Sequence, residues 1–100
     1  MNDKRIEIRK ELNSPLADDP QKGDIIFNSI KRESEEYDKI ILDFKDIELV
    51  NTAFLNNAIG RLFNQKEYDI NQHPIIISNM NASMRELLTE SVKVARAKYI

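Results

Sequence analysis

The chain has no cysteine and no tryptophan among its 100 residues, and it has only one histidine, two glycines and three prolines. Without cysteine there can be no disulfide, thiolate metal site or thiol nucleophile. A lone histidine, His73, excludes any multi-histidine metal site. Two glycines leave little for a loop that cradles phosphate, and neither a GxGxxG nor a P-loop pattern occurs. Long hydrophobic runs are missing too. No apolar stretch approaches the about 20 residues that a spanning helix needs, so no membrane segment is expected. The N-terminal MNDKRIEIRKEL is charged and has no apolar centre, so it does not read as a secretory signal. Neither sign of charge dominates. Fifteen basic residues against seventeen acidic ones give a net charge of −2, which supplies no basic face for nucleic acid. The expectation is a cytoplasmic protein without cofactor, membrane contact or nucleic-acid partner.

What is present is ordinary for a folded domain: 41% hydrophobic and 32% charged residues. One hundred residues make one domain with a modest core. Arg5–Glu11 alternates charge and aliphatics, which predicts a half-exposed edge strand around Ile6–Arg9. Asn13–Pro20 has the composition of a turn or loop. Asp19 before Pro20 resembles an N-cap followed by a proline at N1, opening a helix to about Glu33 that buries Ile26, Phe27 and Ile30. A start at Asp24 is the alternative, and Gly23 weakens the first turn. Arg32–Lys39 reads as a solvated helix end. Lys39–Phe44 is a buried strand, and Ile47, Leu49 and Val50 resume the apolar run after Asp43 and Asp46. Leu55, Ala58, Ile59 and Leu62 then fall on one face of a helix that should end near Asn64–Glu67. Asn51 and Thr52 stand at the switch, and both are favoured N-caps. Tyr68–Pro74 is a polar connection in which His73 reads as a surface residue. Ile75–Ser78 is a second buried strand. Ser83–Glu86 fits a capping box for a last helix to about Lys98, with Met84, Leu87, Leu88, Val92 and Ala95 inward. Leu42, Phe44, Leu55, Ile59, Leu62, Ile76 and Leu88 are the expected core.

Strands joined through helices are parallel with right-handed crossovers. The expected fold class is therefore α/β, with a mainly parallel sheet of three to four strands. A hairpin through Leu12–Ala17 could add an antiparallel pairing at the edge, although the sequence signals it weakly.

The stretch LDFKDIELVNTAFLNNAIGRL resembles the motif of STAS domains, the anti-sigma factor antagonist superfamily. It is closer still to a small STAS-like family of unknown function, whose motif reads roughly Leu-Asp-Phe-x-Gly-Val, a few residues, then Ser-Ser-Phe. Leu42, Asp43, Phe44, Ile47 and Phe54 match, and the outline fits over about residues 20–95. The resemblance implies a small STAS-like fold with helices packed mostly on one face of the sheet. Two departures stand out. Ala53 occupies the position of the serine that antagonists present for phosphorylation, and Asn51 replaces the acidic residue before it.

Catalysis finds little support in these residues. Only His73 could act as base to a serine nucleophile, and no GxSxG elbow occurs. A receiver-like phosphoacceptor at Asp43 is a second reading, and a structural subunit assembling through its edge strand is a third. The favoured reading is a non-catalytic regulatory module, a monomer or weak homo-oligomer. The resemblance implies docking of an ATP-binding serine kinase of the histidine-kinase-like ATPase fold. The surface would comprise Asn51, Thr52, Ala53, Phe54, Asn56 and Asn57. Thr52 is the one hydroxyl in the motif and so the phosphoacceptor candidate. If it caps the helix its oxygen is hidden from a kinase, which predicts constitutive binding.

Overall fold

The structure, a computed structural model, describes residues 2–99. Its central element is β3, Lys39–Asp43, flanked by β1, Asp3–Glu7, and β5, Ile75–Ser78. Both pairings are parallel, with Ile6 beside Leu42 and Leu42 beside Ile77. A second parallel pair joins β2, Leu16–Ala17, to β4, Leu49–Val50. The helices are α1 (Ile8–Leu12), α2 (Pro20–Ser34), α3 (Thr52–Ala58) and α4 (Ala82–Lys98), with a 3₁₀ turn at Gly60–Phe63. The expected parallel α/β architecture is present.

Register decides which residues share a face. Ile6, Leu42 and Ile77 lie in one row, beneath the helices, and Arg5, Ile41 and Ile76 lie in a row on the opposite face. The first row meets Ile26, Phe27 and Ile30 of α2 and Leu55 and Leu62 beyond them in a single core. The second row faces outward, with Ile76 42% exposed. Ile76 is therefore not a core residue, because the helices gather on the other side of the sheet. Leu88 is only half-buried: with Leu87 and Val92 it packs against the core from its margin, while Met84, Ser91 and Ala95 are the buried residues of α4.

Several local expectations change for identifiable reasons. The N-terminal strand ends at Glu7, and Ile8 opens a one-turn helix and is fully buried. Leu16–Ala17 forms no hairpin; it pairs parallel with Leu49–Val50, so every pairing among the described residues is parallel. Helix α2 starts at Pro20 with Asp19 Oδ1 accepting from Lys22 N at 2.7 Å, which rules out the later start at Asp24. The α-helix after the motif stops at Ala58 and tightens into 3₁₀ geometry through Phe63, short of Asn64, as helix ends commonly do. Asn81, not Ser83, caps α4, its Oδ1 accepting from Met84 N. His73 is half-buried and tied down at both ends. Its Nδ1 lies 3.1 Å from the Tyr37 carbonyl, and its own carbonyl accepts from the buried Tyr68 hydroxyl at 2.7 Å. Burial and the neighbouring Asp69 push the Tyr68 hydroxyl up to about 12.

Candidate functional site

The strand-to-helix switch is built from both of its flanks. Asp43 ends β3 almost out of solvent, at 7% exposure. Its Oδ1 accepts from Asn79 Nδ2 at 2.8 Å and from Lys45 N at 2.9 Å, and its Oδ2 accepts from Arg5 Nη1 at 3.0 Å. Burial acts to raise the Asp43 carboxyl, but Asn79, the Lys45 N–H and Arg5 together outweigh it and hold it below its usual range. With both oxygens engaged, the carboxylate closes the ends of β1, β3 and β5 together. Asp46, three residues past the end of the strand, turns the chain with φ of 63°. Ile47 and Val50 then return to the core.

Asn51 caps α3. Its Oδ1 accepts from Phe54 N at 2.9 Å, and its Nδ2 donates to the Asp18 carbonyl at 2.7 Å. The same side chain thus starts α3 and fastens it to the segment leading into α2. Thr52 is consequently the first helical residue and not the cap. It is exposed, and its hydroxyl has no partner among the described residues. The geometric ground for expecting Thr52 to be shielded from a kinase is thereby removed. Ala53 is exposed beside it.

Phe54 departs from the expected surface. It is fully buried, so its ring cannot line a docked partner. Together with Leu55 it pins the head of α3 to the core, leaving Thr52 and Ala53 above. Asn56 and Asn57 follow on the helix but are not free. Asn56 Oδ1 accepts from the Ser91 hydroxyl of α4, which is buried at 3% exposure. Asn57 Nδ2 donates to Asp24 Oδ1 at 3.1 Å and to the Pro20 carbonyl at 3.2 Å. These two poor helix formers therefore tie α3 to α4 and to α2. Neither reaches the turn at Asn79–Asn81.

Three residues that the sequence reading did not place at the site hold it together. Gly23 lets α2 and α3 touch: a Cβ there would sit 2.6 Å from the Phe54 carbonyl oxygen and 2.8 Å from Asn57 Cβ. Arg61 bridges Asp24 at 3.0 Å and Glu67 at 2.9 Å, and it lies 3.9 Å over the Phe27 ring. Its hydrogen bond holds the Glu67 carboxyl below its usual range. Ser91 supplies the polar contact from α4. Only Gly23 had a sequence signal, as a glycine inside a predicted helix.

A cavity of about 280 Å³ opens between α3 and the end of α4, lined by Asn56, Asn57, Arg61, Ser91 and Lys98 among others. Asn56, Asn57, Arg61 and Ser91 already serve the helix contacts described above. Among the described residues, no group of three or more His, Asp or Glu side chains could hold a metal ion. None of their helices is long and apolar enough to cross a membrane.

A parallel sheet backed by helices on one face, with a capped helix opening directly after its central strand, defines a STAS-like α/β domain. The family described as a STAS-like domain of unknown function matches residues 22–84, and the chain belongs to that family. No curated protein and no solved structure matches the chain.

Proposed function

We propose that this STAS-like domain is a non-catalytic regulatory module. It receives a protein partner on the exposed head of α3, centred on Thr52 and Ala53 with Asn56 at its margin. The observation that carries this reading is the division of labour within one helical turn. Phe54 and Leu55 are fully buried and Asn51 is locked as the cap, while Thr52 and Ala53 face solvent with no partner among the described residues. A surface held in place by its buried neighbours lowers the ordering cost of binding. The resemblance to antagonist domains supports an ATP-binding serine kinase of the histidine-kinase-like ATPase fold as that partner. Asp43 has a structural task, with both carboxylate oxygens engaged, which speaks against the phosphoacceptor reading.

The test is a comparison of the chain with Ala53→Arg as baits in affinity purification. Ala53 is exposed, whereas Asn56→Arg would strand the buried Ser91 hydroxyl. The expected result is an ATPase-fold partner recovered with the natural chain and lost with Ala53→Arg, at unchanged thermal stability. Equal recovery of that partner by both baits, or recovery of no ATPase-fold protein, overturns the reading.

A further inference from the structure

The three-stranded sheet ends on two very different edges. β1 reads Asp-Lys-Arg-Ile-Glu, a charged edge of the kind that discourages pairing. β5 reads Ile-Ile-Ile-Ser, without a charge or a proline, and no strand lies on its outer side. The carbonyls of Pro74 and Ser78 accept from Ile40 N at 3.1 Å and Phe44 N at 2.9 Å. The even-numbered positions thus turn their backbone groups toward β3. Alternation along the strand turns the N–H and C=O of Ile75 and Ile77 outward. Beside them, the Ile76 side chain is 42% exposed on the uncovered face of the sheet.

We propose that this edge pairs with the same edge of a second copy, antiparallel, about a two-fold axis at Ile76. The strand itself selects that occupant. In this register Ile75 opposes Ile77 of the second copy, and Ile77 opposes Ile75. Each outward N–H then meets an outward C=O. Ile76 opposes Ile76 as a close pair without backbone hydrogen bonds, which shields one flank of the exposed apolar side chain of each copy from water. Beyond the strand Pro74 opposes Ser78 and His73 opposes Asn79, so no like charges meet. The same operation on β1, about its inward-turned Lys4, would set Lys4 against Lys4, a destabilising pair. One edge is thus matched to its own inverse, and the other carries charge into such a pairing. The product is a continuous six-stranded sheet with closed two-fold symmetry. So short a seam buries less than a standard interface, which makes the dimer dependent on concentration.

Light scattering on the full chain, from about 1 μM to about 1 mM, spans the dissociation constants of such weak interfaces. The expected result is a mass that climbs from 11.7 kDa toward twice that value. Ile76→Lys should hold the mass at 11.7 kDa throughout without lowering the melting temperature. Ile76→Cys supplies a second readout, because the chain has no other cysteine. The facing Cβ atoms of the pair come close to disulfide distance, so mild oxidation should yield a covalent dimer. Asp3→Cys, on β1, should stay monomeric under the same treatment. Three results overturn the proposal: a natural chain monomeric at every concentration, which would leave the edge to a strand of another protein; a dimer that survives Ile76→Lys; or cross-linking of Asp3→Cys as readily as of Ile76→Cys.

Discussion

Arg5 on β1 holds Asp43 on β3 through an ion pair of 3.0 Å, at the point where the central strand hands over to the motif turn. The carboxyl is held below its ordinary value of 3.8, so the folded state binds its proton less tightly than the unfolded state does. The sign follows. This stabilisation is fully present above the unfolded value and is lost as pH falls through the folded one. Asp43→Asn should therefore destabilise the domain by about 1–3 kcal/mol at neutral pH, since Asn79, Lys45 and Arg5 lose a charged acceptor. The gap between the variant and the natural chain should shrink when urea unfolding is repeated well below pH 3.8. A gap constant with pH would show that the charge of Asp43 contributes nothing.

Gly23 governs the crossing of α2 and α3. Alanine at an exposed helix position normally gains about 1 kcal/mol over glycine. Here the added Cβ would lie 2.6 Å from a carbonyl oxygen, a backbone atom that cannot swing aside. Gly23→Ala should therefore reverse the usual sign and cost about 1–3 kcal/mol in chemical denaturation. It should also weaken any binding at the head of α3, because Asn57 and Phe54 are the atoms it displaces.

Leu55 is fully buried beneath that head. Truncation to alanine should cost about 2–5 kcal/mol, measured as a lowered urea midpoint, with the spread set by how far the core can collapse.

The stripe Leu55, Ala58, Ile59 and Leu62 was legible in the sequence because a one-sided helix leaves a periodic mark. The Asp19–Pro20 start of α2 was legible because capping chemistry is local. Ile76 was not, since a run of isoleucines carries no period to say that one face of its strand is uncovered. The early end of the strand at Glu7 was hidden for a similar reason: Ile8 is apolar in either structure, and only its burial against the core settles the choice. At the candidate site, Asn51 and Thr52 were equivalent caps on composition. The Asp18 carbonyl, which engages the Asn51 amide, is thirty-three residues away and decides between them.

Thr52 is exposed at the first position of α3, and its side chain is free of the capping bond that Asn51 makes. A negative charge there adds to any docked surface without disturbing the fold. Thr52→Glu should therefore leave the melting temperature within about 2 °C, by the usual scale for surface changes. It should reduce binding of an ATPase-fold partner at least about tenfold in titration calorimetry, which corresponds to about 1.4 kcal/mol. Undiminished affinity would place the interface away from Thr52.

Among the described residues, the left-handed turns are made by Asn13, Asp46 and Asn79, and not by either glycine. That choice has a consequence in the unfolded ensemble. A glycine at each turn would relax the folded backbone but would also widen the set of conformations open to the denatured chain. Asp46 has an exposed side chain, so its replacement isolates the two effects. Asp46→Gly should change stability by less than about 0.5 kcal/mol, because the relief of the turn and the added freedom of the random chain oppose each other. Asp46→Ala gains no such relief, and alanine tolerates the left-handed conformation less well than aspartate, at a cost of about 1 kcal/mol. A glycine-poor chain thus limits the freedom of its denatured state with ordinary side chains.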